Sequence, residues 1–148
     1  MSLARFFSGW KCDAMTSELI LGIDPGSSKS GVALLDKGGN ILRLELILMD
    51  NFQSGLRRFL RKDNPTVCVL GDGTTSSSMH EALAGILPAI KVVVCDESYS
   101  TEEARKLYWE MNQPQGWRRL IPLGLLTPPE PLDAYAAVVL ARRYIATN

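Results

Sequence analysis

Apolar and polar positions follow one another in short blocks along the first third of the chain, and these blocks predict strands. The run Leu19 to Ile23 is apolar and suits a buried strand that ends at Asp24. A second apolar run resumes at Val32 to Leu35, and Ile41 to Met49 alternates as a third strand. Glycine- and serine-rich turns separate the three runs, so the chain is predicted to open with three antiparallel strands.

After residue 50 the spacing of the apolar positions changes to helical periods that alternate with short apolar runs. Helical spacing begins at Phe52 and at Met79, and again at Ala104, and strand-like runs fall at Val67 to Leu70 and at Ile90 to Cys95. A last helix is expected over residues 132–145, after Pro131. The pattern predicts an α/β fold in which a mixed sheet, with three antiparallel strands followed by parallel strands, is flanked by helices.

Length and composition fit one domain. The chain has 148 residues, of which 46% are hydrophobic. This is enough for a hydrophobic core that is stable without disulfide bonds or structural metal ions. We expect a single domain over residues 18–148, preceded by an N-terminal arm of residues 1–17. The net charge is zero, so no global basic field attracts nucleic acid, although local patches can still bind it.

Cysteine spacing and hydropathy bear on the cellular compartment. Cys12, Cys68 and Cys95 form neither a paired framework nor a CxxC metal spacing, which predicts reduced thiols. No apolar stretch approaches the roughly 20 residues of a membrane span. The first 17 residues lack the apolar core of a signal peptide. We therefore expect a cytoplasmic protein without membrane contact, either a monomer or a homodimer.

Acidic residues follow the predicted strands, and one opens the last helix. Asp24 and Asp72 come directly after strands, as does the pair Asp96 and Glu97, while Asp133 lies near the last helix's start. Carboxylates gathered at one crevice repel one another unless a divalent cation neutralises them, and oxygen ligands favour Mg²⁺ or Mn²⁺. Two such ions support hydrolysis of a phosphodiester. Taken alone, Asp24-Pro25-Gly26 is explained more simply as turn chemistry.

Four motifs together carry a family resemblance over roughly Leu19 to Ala146. In chain order they are IDPGSSKSGVAL, VLGDGTTS, CDESYSTEEAR and PLDAYAAVVLARRYI. Their order and spacing resemble the YqgF family of RuvC-like nucleases. The resemblance implies an RNase H-like fold and a metal-dependent endonuclease acting on structured nucleic acid. Members are associated with maturation of the small-subunit ribosomal RNA precursor and with resolution of branched DNA, the Holliday junction, and the resemblance does not choose between them.

The resemblance also assigns roles to single residues. It implies that Asp24, Glu97 and Asp133 are the catalytic carboxylates and hold the metal ions, most simply two Mg²⁺ or Mn²⁺ ions. Substrate contacts are expected from the phosphate-side loops and from the basic pair of the later loop. These residues are Ser27, Lys29, Asp72, Thr74, Arg118 and Arg119. Asp72 is expected to have a supporting role at most.

The sequence departs from the family pattern at three positions. Lys29 stands where relatives often have Arg, Ser98 follows Glu97 where relatives usually have Arg, and Ala134 replaces a second Asp found in some relatives. Arg and Lys differ in phosphate geometry, and Ser carries no charge. The grip on the nucleic acid backbone would then be weaker, or be moved to Arg118 and Arg119.

Two alternatives remain open from the sequence. One is a catalytically silent RNase H-like module that binds RNA or a protein, favoured by the zero net charge and by Lys29 and Ser98. The other takes Asp24-Pro25-Gly26 and Gly71 to Thr74 as the phosphate loops of an actin-like or sugar-kinase-like nucleotide fold. We rank the second last, because that fold closes another domain over its nucleotide.

Overall fold

The computed structural model describes residues 18–73, 76–96, 98, 100–122 and 125–148. The N-terminal arm predicted for residues 1–17 lies outside these ranges. The strands are β1 (Leu19–Asp24), β2 (Lys29–Asp36), β3 (Ile41–Leu48), β4 (Val67–Gly71) and β5 (Lys91–Cys95). The α-helices are α1 (Phe52–Leu60), α2 (Ser76–Ile86), α3 (Ser100–Met111) and α4 (Asp133–Thr147). Short 3-10 helices cover Met49–Asn51 and Gly116–Leu120.

The sheet has the order β3-β2-β1-β4-β5. β1 pairs antiparallel with β2, and β2 with β3, whereas β4 lies parallel to β1 and β5 parallel to β4. The predicted mixed sheet, three antiparallel strands followed by parallel strands, is confirmed. Because β1, β4 and β5 run in the same direction, their carboxyl ends lie at one edge of the sheet, where α/β folds usually form their crevice.

Each face of the sheet carries its own hydrophobic layer. Alternate residues of the strands point to opposite faces, so Leu21 and Ile23 pack with α1 and α2, whereas Ile20 packs with α3 and α4. On β2 the same alternation sends Val32 and Leu34 to the first layer, and Ala33 and Leu35 to the second. Two helices cover each face, and apolar strands buried on both sides are what this arrangement requires.

Some details differ from the sequence-based expectation. A 3-10 turn leads into α1, and the N-cap residue of this helix, Asn51, makes no side-chain cap hydrogen bond. The final helix begins at Asp133 and ends at Thr147, one residue later and two residues further than predicted. The loop before it contains the 3-10 helix Gly116–Leu120, whose residues show no apolar period.

The described cysteines are not paired with one another. Cys68 is buried and Cys95 partly so, and both are free thiols. Burial raises the pKa of the Cys68 thiol, which keeps it neutral. Over the ranges that the structure describes, no helix is long and apolar enough to cross a bilayer.

Candidate functional site

Asp24 is the last residue of β1, and the strand pairing fixes where its side chain points. In the antiparallel ladder Asp24 lies directly opposite Gly31 of β2. Residues directly opposite each other in such a ladder project to the same face, with Cα atoms about 4.5 to 5.5 Å apart. That face is the one covered by α4, because Ile20 and Ala33, at even spacing from these two positions, both pack in the α3 and α4 layer. The Asp24 carboxylate is half-buried there.

Gly31 lets the first residue of α4 approach the sheet beside Asp24. A Cβ atom at Gly31 would lie 2.0 Å from the Asp133 carbonyl oxygen and 2.4 Å from the Ala134 nitrogen. No side chain fits in that space, so the backbone of the helix start rests directly on the strand. Asp133 is therefore held on the same face as Asp24, next to the strand position opposite it.

Gly22 makes the second close contact between α4 and the sheet. A Cβ atom there would lie 2.3 Å from the Ala137 carbonyl oxygen. Gly22 precedes Asp24 by two residues, about 6.6 Å along a strand, and Ala137 follows Asp133 by four, about 6 Å along a helix. The helix thus runs antiparallel to β1, and its N-terminus lies over the strand's carboxyl end. Both sequence-predicted carboxylates, Asp24 and Asp133, belong to one corner of the molecule.

Small residues on α4 complete this close packing. Ala134 is 4% exposed and lies against Gly31, and Ala141 contacts the position of Gly22. The contact of Ala134 with Gly31 is made by its backbone nitrogen, so it depends on the glycine and not on the alanine side chain.

The loop between β1 and β2, which follows Asp24, makes a tight turn. A Cβ atom at Gly26 would lie 2.2 Å from the Lys29 carbonyl oxygen, so the turn requires glycine. The Gly26 N–H donates to the hydroxyl of Ser30 at 3.3 Å, and that hydroxyl, fully buried, donates to the Met49 sulfur at 3.1 Å. The Ser28 carbonyl accepts from the Met49 N–H at 2.9 Å. These bonds join the loop to the end of β3.

Of the residues predicted to bind substrate in this loop, Lys29 and Ser27 have different positions. Lys29 precedes Gly31 by two residues on β2 and so shares the face of Asp24 and Asp133, with its side chain half-buried. A cation there lies within reach of a phosphate held near the carboxylates. Ser27 is exposed at the loop's tip.

The ends of β4 and β5 extend the same edge of the sheet. Gly71 pairs with Cys95, and one residue further Asp72 and Asp96 leave the two strands side by side, both exposed. Asp72 leaves the strand beside β1, and Asp96 leaves the strand after that, about 10 Å from β1 at the usual spacing between strands. The edge therefore carries a row of acidic residues, as predicted.

The loop after β5 is held by an arginine from α4. Arg143 donates to the Asp96 carbonyl at 2.9 Å and to the Ser98 carbonyl at 2.5 Å, and its guanidinium lies 3.2 Å from the Glu103 carboxylate. The Ser98 hydroxyl and N–H both donate to the Asp96 carboxylate, at 2.8 and 3.0 Å. These bonds, the hydroxyl first, lower the pKa of Asp96. Ser98, a departure from the family pattern, has a local role in this turn.

Two of the predicted site residues are not among the described residues. Glu97 and Thr74, predicted to be a metal ligand and a substrate contact, lie outside the described residues. Within the described ranges, no three His, Cys, Asp or Glu side chains form a group that could hold a metal ion. The described donors at the corner, Asp24 and Asp133, supply hard oxygen atoms of the type that Mg²⁺ and Mn²⁺ prefer, so their chemistry fits the expected ions.

Arg118 and Arg119 lie elsewhere, on the 3-10 helix between α3 and α4. Both are exposed, and the Arg118 guanidinium lies 5.8 Å from the centre of the Trp117 ring. Arg119 donates to the Gly116 carbonyl at 3.3 Å. Among the contacts of the described residues, none joins either arginine to the corner that holds Asp24.

The sequence-based list missed three residues that shape the site. Gly22 and Gly31 set the distance between α4 and the sheet, and Arg143 holds the β5–α3 loop. A signal for the glycines was present, since glycine inside a strand pattern often marks close approach of another backbone. The alanines at 134, 137 and 141 point to the same contact. Nothing in the sequence distinguished Arg143 from the neighbouring Arg142.

Comparison with known proteins supports the fold. No model of a known protein family matches the sequence, and no curated protein matches it. Among solved structures the chain is similar to Thermus thermophilus RuvC, with 13% identity and a TM-score of 0.50 over 83% of this chain and 90% of that one. It is also similar to T. thermophilus RuvC in complex with Holliday junction substrate, with 17% identity and a TM-score of 0.50 over 84% and 90% of the two chains. The chain therefore has the RNase H-like fold that the sequence predicted.

Proposed function

We propose that this chain is a metal-dependent endonuclease that hydrolyses phosphodiester bonds in structured nucleic acid, either branched DNA or a ribosomal RNA precursor. The observation that carries the proposal is the placement of Asp24 and Asp133 at one corner, where two glycines bring the start of α4 onto the end of β1. Carboxylates on rigid elements are what a cation site requires. A neighbour of the same fold is described in complex with Holliday junction substrate, which suggests the ligand class.

Each residue of the corner has a distinct part in the proposed chemistry. Asp24 and Asp133 hold the divalent ions, Mg²⁺ or Mn²⁺ and most simply two of them, and Glu97 supplies a further carboxylate. Bound ions of this type supply charge stabilisation for hydrolysis of a phosphodiester. Lys29, on the same face, binds a phosphate oxygen and holds the backbone near the carboxylates. Ser27 and Asp72, both exposed, are further contacts to the nucleic acid, and Thr74, which lies outside the described residues, is expected to be another.

A second function is favoured by a specific observation. The net charge of the chain is zero, and Ser98, which stands where relatives of the resembled family usually have Arg, makes its hydrogen bonds within its own turn. A catalytically silent module of the same fold, binding nucleic acid or a protein without cleaving it, accounts for both observations. We place it second because a surface that only binds would not need the close contact of α4 with Gly22 and Gly31 beside the carboxylates. It would also not need Lys29 on the same face as Asp24 and Asp133.

The test of the proposal compares two substrates under identical conditions. Labelled four-way DNA junctions and structured ribosomal RNA precursors are incubated with the protein and Mg²⁺ or Mn²⁺, and with the Asp24→Asn variant as control. Metal-dependent cutting of either substrate by the wild type alone supports the nuclease and names its substrate. Tight, salt-sensitive binding of both without cutting would instead support the silent module.

A further inference from the structure

An exposed apolar stripe lies on the 3-10 helix Gly116–Leu120. The Trp117 side chain is 68% exposed and the Leu120 side chain 87% exposed. Residues three apart lie above one another on a 3-10 helix, so the two side chains share one face. Single exposed apolar residues are ordinary, but an indole this open beside a second large apolar side chain forms a continuous patch.

The charged residues around the stripe indicate which class of molecule the stripe would bind. Arg118 and Arg119 flank it, and no acidic residue lies between Glu110 and Glu130 in the sequence. The 3-10 helix itself is therefore positively charged, while Glu110 belongs to the lining of the neighbouring cleft. Two copies of this surface facing each other would bring like charges together, which opposes self-association. A polyanion that also offers flat apolar faces suits the surface better, and nucleic acid bases with their phosphates have both properties.

A polar cleft beside the stripe adds hydrogen-bonding groups. The cleft, of about 710 Å³, lies between the end of α3 and the 3-10 helix. Its lining includes the Glu110 side chain at the end of α3, the amide side chains of Asn112, Gln113 and Gln115, and the side chain of Arg119. Amides present both donors and acceptors, which match the edges of bases that have left the stack.

We infer that the segment Asn112–Leu120 is a second nucleic acid contact, in which Trp117 stacks on an unpaired base of the substrate while Arg118 and Arg119 bind the adjacent phosphates. The inference rests on the proposed function in taking nucleic acid as the ligand, and adds that the preferred substrate contains an unpaired base. A fully paired duplex offers no open base face to the indole. The surface therefore selects structured nucleic acid with bulges, loops or open junction centres.

The test measures affinity for two linear DNA duplexes without metal, so that no cleavage occurs. One duplex carries a single unpaired 2-aminopurine as a bulge, and the other is fully paired and otherwise identical. We expect the wild type to prefer the bulged duplex by about tenfold, within the range that stacking of one base contributes. Trp117→Leu, which keeps apolar surface but removes the ring, should lose this preference, while Trp117→Phe should keep most of it.

Matched variants separate stacking from general effects. Leu48→Ala removes an apolar side chain that is 60% exposed on β3, and should leave the preference unchanged. Arg118→Ala combined with Arg119→Ala should lower the slope of log affinity against log salt by about 1 to 2. An equal preference in Trp117→Leu and the wild type would overturn the inference. So would a change of sedimentation with Trp117→Leu while the preference persists, since the stripe would then be an interface between copies.

Failure of the inference and failure of the proposed function give different results. If the wild type cuts nucleic acid with Mg²⁺ or Mn²⁺ but Trp117→Leu behaves like it in binding, the stacking surface is wrong and the nuclease stands. If the bulge preference depends on Trp117 but no substrate is cut, the surface stands and the nuclease is wrong. Binding of neither duplex by the wild type would overturn the inference.

Discussion

The two sides of the acidic edge are built by different interactions. At the β1 side, the backbone of α4 lies directly on Gly22 and Gly31, so the carboxylates Asp24 and Asp133 are positioned by packed main chain. At the β5 side, the loop that begins at Asp96 is exposed and is held by side-chain hydrogen bonds from Arg143. Main-chain packing tolerates almost no substitution, whereas a loop held by one long side chain can adjust. A substitution of Gly22 or Gly31 should therefore affect folding, and one on the β5 side mainly the loop.

The largest effect is expected from Gly31→Ala. The added methyl group would lie 2.0 Å from the Asp133 carbonyl oxygen, and backbone rather than a flexible side chain must move. We expect a loss of at least about 3 kcal/mol in the free energy of unfolding, at the upper end of the usual cost of overpacking. Urea denaturation of the variant and the wild type measures this loss in the free energy of unfolding. Gly85→Ala is the matched control, because Gly85 is an exposed residue of α2 with space for a methyl group, and that variant should gain up to about 1 kcal/mol.

Asp24→Asn should leave the fold intact and remove activity. The substitution keeps the shape of the side chain but removes the charge that holds a cation, so cleavage should fall by at least about 100-fold. That is more than the 10- to 100-fold typically lost when a residue that only orients a metal ligand is replaced. Single-turnover cleavage and thermal denaturation are measured on the same sample. Cleavage at the wild-type rate would contradict the assignment.

Arg143→Gln probes the β5 side. It removes the hydrogen bonds to the Asp96 and Ser98 carbonyls and the ion pair with Glu103, which should cost about 1 to 2 kcal/mol. If the loop positions Glu97, cleavage should fall about tenfold with little change in substrate affinity. The neighbouring Arg142→Gln is the control, because among the described residues Arg142 donates a hydrogen bond only to the Gly39 carbonyl, at 3.0 Å, in the turn after β2. Equal activity in both variants would show that the loop needs no such support.

The smallest effect concerns the charge of Asp96. Its pKa is lowered by the Ser98 hydroxyl and N–H, so the ionised turn is favoured above the ordinary carboxylate pKa and loses this contribution as the pH falls through the lowered value. Ser98→Ala should raise the pKa of Asp96 toward its ordinary value. Carboxyl carbon NMR follows the titration. Asp36, whose pKa is lowered by Asn40 in a distant turn, is an internal control and should not change.

Sequence periodicity was sufficient to predict the layout of the fold. The three opening strands, the later alternation of strands and helices and the mixed sheet are all confirmed, because apolar period and turn residues are local properties. The convergence of Asp24, Asp72 and Asp96 at one edge was an inference from the strand order, and the parallel pairing of β1, β4 and β5 places them there. Their roles stay predictions.

Contacts between distant segments were beyond the sequence. Gly31 and Asp133 are about a hundred residues apart, and only the folded chain shows that one backbone rests on the other. The sequence around Arg143 predicts only a helix residue, and its hydrogen bond to the loop after β5 is visible only in the folded chain. The 3-10 helix of Trp117 lies in a stretch rich in proline and glycine, where periodicity carries no signal.

The most direct test of the central claim is a titration of Mn²⁺ followed by electron paramagnetic resonance, which reports free ion. The wild type is compared with Asp24→Asn and Asp133→Asn, and with Asp36→Asn as a carboxylate control at the far end of β2. We predict that Asp24→Asn and Asp133→Asn each weaken Mn²⁺ binding at least tenfold, while Asp36→Asn binds Mn²⁺ like the wild type. Equal binding in all four proteins would contradict the claim that Asp24 and Asp133 form one cation site.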